Sequence, residues 1–292
     1  MPGYDIYVPT DLRDALSYLD DLGEATSIIA RGTDLLPRLR RRRASAASLL
    51  DISGLGGDLR YIRSQDGSLH VGALSTVSDL MESPLIGREM ELVREAGRKF
   101  GDPQIRNVAT VGGNICSATS SEDLIPVFLA LDARVKLLSL KGERALPLKD
   151  FIKGKRTISK KSGEILSGVE LGPLPANSGS AYEKLGRRNI LIIALVNEAV
   201  VLTMEADRET VRAARVALNR VAGRVPQRAS AVEEYLAGRR LGADTIAAAQ
   251  AVLSSELDLK NDFRASGEYR SEIAKVYLKR LLELSAFRIR GT

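Results

Sequence analysis

Two short loops in this sequence combine glycine with hydroxyl and amide side chains, a composition suited to binding a phosphate group. They are Ala30-Arg31-Gly32-Thr33-Asp34-Leu35 and Ala109-Thr110-Val111-Gly112-Gly113-Asn114, the second followed by Ser117, Thr119, Ser120 and Ser121. Glycine lets a backbone approach a bulky ligand, and amide and hydroxyl groups can solvate a diphosphate without a cation. The pair predicts a nucleotide cradle, although either loop taken alone is more typical of an ordinary turn.

Other kinds of chemistry lack the residues that they need. The 292 residues include one cysteine, Cys116, and one histidine, His70, which excludes a disulfide within the chain, a cysteine-ligated iron–sulfur cluster and a multi-histidine zinc site. His70 lies in an alternating segment typical of a strand, where we expect a structural role at the surface. Neither a G-x-G-x-x-G nor a P-loop motif is present. Metal chemistry is therefore expected in another chain.

Charge and hydropathy exclude only a few classes of partner and of cellular location. The net charge of +6 favours an anionic ligand or partner, but aromatic residues make up only 4% of the chain, which argues against nucleic acid. The basic run at 38–43 is interpreted as a solvated helix end, with docking against a partner subunit as its functional alternative. The longest strongly apolar run, 190–196, is too short to cross a bilayer, and no secretory signal is recognised, so a cytoplasmic location is expected.

The elements that must position the two loops indicate an α+β fold. Leucine and alanine recur at helical spacing over 12–22, with Thr10 as the expected cap and Gly23 as the stop. Strands are predicted at 27–30 and 48–52, and a hairpin at 59–73 turns at Asp66-Gly67. Further predicted elements are helices near 76–82, 86–99 and 122–132, a long loop over 101–121, and strands near 134–140 and 164–171.

A stretch with the composition of a linker divides the chain. Residues 172–180 are rich in glycine, proline and serine and lose all periodicity, which predicts a domain boundary. Beyond it we expect strands near 195–205 and 210–218 and helices near 228–237, 243–254 and 268–286. The predicted domains are 1–55, 56–175 and 180–292.

In this order and at this spacing, the two loops resemble those of the FAD subunits of molybdenum hydroxylases, the xanthine dehydrogenase and carbon monoxide dehydrogenase group. That family has an A-G-G-T-D-L-like loop, then T-V-G-G-N, D-L-x-P and A-L-x-A. The resemblance continues over nearly the whole chain. It includes Asp123-Leu124-Ile125-Pro126, Ala130-Leu131-Asp132-Ala133, Tyr182-Glu183-Lys184-Leu185, Val196-Asn197-Glu198-Ala199-Val200 and Asp262-Phe263-Arg264-Ala265-Ser266.

The resemblance implies a two-part FAD-binding region of the molybdopterin-dehydrogenase, vanillyl-alcohol-oxidase-like type and a C-terminal α+β domain of the carbon monoxide dehydrogenase flavoprotein type. Asp123 would contact the adenosine ribose or nearby backbone, or else stabilise a helix dipole. Tyr182 and Lys184 would lie near the flavin ring, with an exposed charge as the alternative for Lys184. The residues implied to bind the FAD diphosphate are Ala30, Arg31, Gly32, Thr33, Asp34, Leu35, Thr110, Gly112, Gly113, Asn114, Ser117, Thr119 and Ser120.

The implied function is that of an oxidoreductase subunit which transfers electrons. A small partner subunit would deliver electrons from [2Fe-2S] clusters, a large partner subunit would carry the molybdenum cofactor, and an external acceptor would receive the electrons. No catalytic acid or base and no metal is implied for this chain. Two departures from the family are Arg31, at a usual glycine, and Ile192, at a position that is often acidic. The alternatives are a flavin-free assembly subunit and a self-contained flavin oxidoreductase of the UDP-N-acetylenolpyruvylglucosamine reductase kind.

Overall fold

The chain opens with a small α/β layer built on a parallel sheet. The computed structural model describes residues 4–186, 193–219, 226–258 and 260–291. Strands β1 (Asp5–Tyr7), β2 (Thr26–Ile29) and β3 (Ser48–Asp51) pair in the order β1-β3-β2. Helix α1 (Leu12–Leu22) packs its apolar face on this sheet, and α2 (Leu35–Arg40) follows β2. The predicted succession of strand, loop and helix is confirmed.

The cap of helix α1 differs from the prediction. Asp11, not Thr10, is the N-cap, and its carboxylate accepts the Asp14 N–H at 2.8 Å. Thr10 instead donates its own N–H to the Asp14 carboxylate, also at 2.8 Å. Both residue types are good caps, and the sequence places them side by side, so spacing alone could not select between them. Gly23, at φ 61°, ends the helix as expected.

The second part is an antiparallel sheet covered by helices. Its strands are β4 (Ile62–Gln65), β5 (Ser68–Gly72), β6 (Arg134–Ser139), β7 (Gly142–Pro147) and β10 (Ile165–Leu171), in the order β4-β5-β10-β6-β7. A separate hairpin pairs β8 (Ile152–Gly154) with β9 (Thr157–Ile158). The helices are α3 (Gly56–Leu59), α4 (Val77–Glu82), α5 (Glu91–Arg98), α6 (Pro103–Arg106), α7 (Val111–Ser117), α8 (Leu124–Ala130) and α9 (Leu148–Phe151).

Two predictions about this part were wrong. The expected loop over 101–121 contains helices α6 and α7, because Asp102 and Thr110 cap them and because α7 packs between the sheet and α8. His70 is buried in β5, with 8% of its surface exposed, since β5 is an inner strand that pairs with β4 on one edge and β10 on the other. The predicted hairpin turn is confirmed, with Asp66 and Gly67 both at positive φ.

The third part is an antiparallel sheet with three helices on one face. The sheet consists of β11 (Ser178–Leu185), β12 (Val196–Met204), β13 (Val211–Asn219) and β14 (Gln227–Arg228). Helices α10 (Ser230–Leu236), α11 (Ala243–Glu256) and α12 (Gly267–Arg290) close the chain, near their predicted positions. Strand β11 was not predicted, and it begins inside the stretch interpreted as a linker.

The core is continuous from the second part into the third. One face of β12 and β13 packs on α10 to α12, whereas the opposite face joins the cluster formed by α5, α7 and α8. Tyr182, Ala199, Val201 and Ala217 belong to that shared cluster. Among the described residues no helix has the length and apolar character needed to cross a membrane.

Candidate functional site

The two glycine-containing loops meet at one cleft between the first and second parts. A cavity of about 330 Å³ lies there, and the first loop forms one wall over residues 26–35. The opposite wall includes Thr110, Gly112, Gly113, Cys116 and Ser117, and the floor is apolar. The structure therefore brings together most of the residues predicted to surround a diphosphate.

The first loop depends on the glycine at Gly32. Gly32 has φ +73°, and a Cβ there would lie 2.5 Å from the Leu36 side chain. Arg31 does not share this left-handed conformation, so its replacement of the family's glycine imposes no backbone strain. The N–H groups of Gly32 and Thr33 have no acceptor within the described parts of the chain. They are therefore candidate donors to an anion.

The second loop contributes in another way. It is the first turn of α7, capped by Thr110, whose hydroxyl accepts the Gly113 N–H at 3.1 Å. The Gly112 N–H donates to the Ala73 carbonyl at 2.8 Å, and a Cβ on Gly112 would lie 2.8 Å from the Ala73 Cβ. These amides already have acceptors, so the turn supplies a close backbone approach, not free donors.

Hairpin β8–β9 ties the two loops together at its tip. The Arg156 guanidinium contacts the Asp34 carboxylate through both terminal nitrogens, at 2.9 and 3.1 Å. The backbone N–H of Arg156 donates to the carbonyl of Ala118, just beyond α7, at 2.8 Å. Asp34 also pairs with Arg38 at 3.3 Å. Sequence reasoning missed Arg156, because no local pattern shows which loop a hairpin tip will contact.

A carboxylate that the sequence did not single out holds three of the predicted ligands. Glu122 accepts hydrogen bonds from the Asn114 amide, the Ser117 hydroxyl and the Thr119 hydroxyl, the last at 2.6 Å. Burial raises the pKa of Glu122 to about 7, and Asp123 and Asp34 add to the rise, whereas the hydroxyl donors oppose it. An acidic residue directly after a run of small hydroxyl residues was the available signal.

The remaining predicted ligands form a separate buried network. Lys184 donates to Asp123 at 2.5 Å and to the Lys99 carbonyl at 2.9 Å. Asn197 donates to Asp123 and to the Tyr182 hydroxyl, each at 3.2 Å. Burial raises the pKa of Asp123 to about 6, and the Lys184 charge limits the rise.

This network shows the surroundings of two residues for which the sequence left alternatives open. Lys184 is not an exposed charge, since only 1% of its side chain is accessible. Asp123 makes no cap hydrogen bond at the start of α8 and directs its carboxylate to Lys184 instead. Asp123, Tyr182, Lys184, Asn114, Thr119 and Ser120 do not line the cavity. Ile192 lies outside the described residues.

The donor set of the cleft suits the parts of a dinucleotide. Arg31, Arg38 and Lys160 line the cavity and present positive charge, which favours a diphosphate. The apolar floor, which includes Ile52, Leu74, Ile165 and Leu166, can accept a ring. The residues that are present therefore fit a nucleotide cofactor.

Family models match both halves of the chain. Residues 2–174 match the FAD binding domain in molybdopterin dehydrogenase, and residues 180–284 match the CO dehydrogenase flavoprotein C-terminal domain. The first match alone covers more than half of the chain. The expected fold class is confirmed by these matches.

Relatives and solved structures agree with the family models. The chain is 32% identical to the 6-hydroxypseudooxynicotine dehydrogenase complex subunit alpha of Paenarthrobacter nicotinovorans, over 100% of this chain and 97% of that protein. It is 30% identical to the carbon monoxide dehydrogenase medium chain of Afipia carboxidovorans, over the full length of both. It superposes on a chain of the reconstituted CO dehydrogenase from Oligotropha carboxidovorans with a TM-score of 0.92 and 30% identity, covering 99% of each.

Proposed function

We infer from the membership of this chain in the FAD-binding family of molybdopterin dehydrogenases, as a flavoprotein subunit of the xanthine and carbon monoxide dehydrogenase type, that it transfers electrons. In this proposal the chain takes electrons from [2Fe-2S] clusters of a small partner subunit and passes them to an external acceptor. A large partner subunit carries the molybdenum cofactor. The domain division proposed is 1–55 and 56–175 for the FAD-binding region and 180–292 for the C-terminal domain.

The observation that carries the proposal is the convergence of both loops on one cavity. The loops are far apart in sequence, yet residues 30–35 and the turn at Thr110 face each other across the cleft. A site made from two distant segments is much less expected from chance than a single glycine-rich turn. We propose that Arg31, Gly32 and Thr33 bind the diphosphate and that Gly112 and Gly113 allow its close approach.

The protein's contribution to the reaction is to bind and orient the cofactor. When bound, FAD supplies a carrier that exchanges electrons singly or in pairs. The apolar floor excludes water from the ring system, and Arg31, Arg38 and Lys160 balance the negative charge of the phosphates. The chemical step on the substrate belongs to the partner that carries molybdenum, so this chain needs no general acid or base.

The partner subunits are proposed from the relatives that resemble this chain from end to end. One relative is named as a subunit of a dehydrogenase complex and another as a medium chain. This chain is collinear with both. We propose that it occupies the same place in a complex of three kinds of subunit.

The test is to remove and restore the flavin in the complex purified from its native host. We expect FAD near one per chain by absorbance and by chromatography of the released cofactor. The deflavinated complex should still show bleaching of its [2Fe-2S] absorbance with substrate but should not reduce the acceptor, and added FAD should restore acceptor reduction. If the complex contains no flavin and binds none, the chain is an assembly subunit. If the purified chain turns over alone, it is a self-contained flavin enzyme.

Two matched glycine variants link this result to the cleft. Gly32→Ala places a Cβ where φ is +73° and where the Leu36 side chain lies 2.5 Å away, so we expect loss of FAD. Gly54→Ala is the control, because a Cβ there meets nothing within 4 Å. Equal flavin content in the two variants would contradict the placement of FAD at the first loop.

A further inference from the structure

We propose that Glu122 couples proton uptake to FAD binding, so that the cleft accepts the dianionic diphosphate together with one proton. This inference rests on the proposed function, because it concerns the same cleft. The geometry behind it is that the Glu122 carboxylate accepts the hydroxyl proton of Ser117, which lines the cavity. The same carboxylate also holds Asn114 and Thr119, which the sequence predicts as FAD ligands but which do not line the cavity.

Glu122 and a bound phosphate would compete for the same hydroxyl protons. A hydroxyl has a single proton to donate, so Ser117 and Thr119 cannot donate to a phosphate oxygen while they donate to Glu122. An ionised carboxylate hydrogen-bonded to Ser117 of the cavity wall would also repel the phosphates. Protonation resolves both problems, because a neutral Glu122 carboxyl can donate its single proton to the Ser117 oxygen, which frees the Ser117 hydroxyl proton for the ligand.

The electrostatic surroundings favour the uptake of this proton. Asp123 is adjacent in sequence, and Asp34 faces Glu122 from the first loop, and both disfavour its ionised form. Two nearby cations are engaged with other carboxylates, since Lys184 binds Asp123 and Arg156 binds Asp34. Arg31, Arg38 and Lys160 line the cavity, where they can contact the phosphates. From β12 and β13, Asn197 and Asn219 donate to the Glu122 backbone carbonyl and carry no charge. Helix α7 has no charged side chain, and burial raises the pKa of its Cys116 thiol to about 12.

The expected pH dependence follows from one-proton linkage. With a pKa of about 7 in the free chain, Glu122 is mostly ionised at pH 8 and mostly neutral at pH 6. The diphosphate of FAD keeps both negative charges over this range. The dissociation constant of FAD should therefore rise about tenfold from pH 6 to pH 8, since one proton is linked to binding.

Isothermal titration of the deflavinated full chain with FAD tests the inference without any turnover. At pH 7.5 the binding enthalpy should depend on the ionisation enthalpy of the buffer, with phosphate and Tris giving a slope of roughly three quarters of a proton taken up. Glu122→Gln should bind FAD with no buffer dependence and with an affinity that does not change with pH. His70→Gln is the control, because it removes the only histidine and should leave the proton uptake intact.

The outcomes distinguish failure of the proposed role of Glu122 from failure of the proposed function. FAD binding by the wild-type chain without buffer or pH dependence overturns the role of Glu122 and leaves the proposed function standing. Uptake that persists in Glu122→Gln also overturns it, and in that case Asp123 is the other carboxyl to examine. If Glu122→Gln does not fold, as judged by circular dichroism, Glu122→Asp, which keeps a titratable carboxyl, should retain the uptake. No binding of FAD at any pH overturns the proposed function and this inference together.

Discussion

Residues of the same type have different roles in the cleft, as two of its glycines show. Gly32 is needed for its backbone conformation, whereas Gly112 is needed because Ala73 leaves no room for a Cβ. Arg31 sits beside Gly32 without strain and lines the cavity, where it forms no ion pair with any described residue. A cation that no described residue holds in an ion pair, beside unsatisfied amides, is well placed to meet an incoming phosphate.

Arg31 should therefore strengthen FAD binding instead of weakening it. A hydrogen bond to a charged group contributes about 1.5–3 kcal/mol, so Arg31→Ala should raise the dissociation constant of FAD by roughly tenfold or more. The dependence of affinity on salt should become shallower as well. Fluorescence quenching of FAD measures both quantities. Arg43→Ala, at the exposed end of the basic run, serves as the control. An unchanged affinity in Arg31→Ala would place the phosphates elsewhere.

The buried Lys184 charge governs stability through Asp123. Lys184→Met leaves the Asp123 carboxylate buried without its cation, which should cost about 3–5 kcal/mol of unfolding free energy at pH 8. At pH 5 the cost should be much smaller. Burial holds the folded-state pKa of Asp123 near 6, above its unfolded value, so the folded chain binds more protons and loses stability as pH rises through this window. Removing Lys184 raises that pKa further and extends the loss to higher pH.

Urea unfolding of the Lys184→Met variant and the wild type at the two pH values measures this difference. The double variant Lys184→Met with Asp123→Asn removes both charges and is the control. It should regain a large part of the stability at pH 8. An equal loss at pH 5 and pH 8 in the single variant would indicate lost packing instead of an uncompensated charge.

At the scale of elements, the sequence revealed the longer pieces and missed those that depend on tertiary contact. Helices α1, α11 and α12 and strands β12 and β13 carry enough periodicity to be predicted. Helix α7 was taken for a loop because Gly112 and Gly113 have low helical propensity, and its packing against the sheet overrides that propensity. Strand β11 was not predicted because its first residues follow a proline-rich segment.

The residues of the candidate site likewise fall into those with a local sequence signal and those that depend on tertiary contacts. The two loops were predicted because glycine and hydroxyl residues leave a local signature. Glu122 and Arg156 were not, because their roles depend on which distant side chains the fold brings to them. Asp34 and Arg156 are 122 positions apart in sequence, and no local pattern can anticipate that contact.

The tip of hairpin β8–β9 should act as a latch on the bound cofactor. Arg156 bridges Asp34 of the first loop and the carbonyl that follows α7, so it resists separation of the two walls. We expect Arg156→Ala to increase the dissociation rate of FAD several-fold, because an exposed ion pair contributes about 1 kcal/mol or less. The association rate should change less.

Stopped-flow displacement of FAD measures this rate. Lys155→Ala, the neighbour in the same turn, is the matched control and should dissociate as slowly as the wild type. Asp34→Asn should resemble Arg156→Ala, and the double variant should add little to either single change, since both remove one contact. Additive effects would show that Arg156 acts by a route other than Asp34.

At the scale of the whole molecule, the hydrophobic core crosses the boundary between the two domains that the family models match. The two family matches meet near residue 174, yet one hydrophobic cluster includes residues from both sides of that boundary. Glu95 of α5 reinforces the contact, since its carboxylate accepts the Tyr182 N–H at 2.8 Å and the Arg288 guanidinium at 2.5 Å. The C-terminal sheet thus has an apolar face on each side.

A fragment that begins at Ser178 should consequently not fold into a stable monomer. Without the N-terminal region, the face of the sheet that holds Tyr182, Ala199, Val201 and Ala217 would be exposed to water, and Lys184 would lose Asp123. We expect residues 178–292 alone to aggregate or to melt without cooperativity, as judged by size-exclusion chromatography and circular dichroism. Coexpression with residues 1–177 should recover a folded complex, because the interface is then restored. A monomeric fragment with the cooperative thermal transition of the full chain would show that the shared core contributes little to folding.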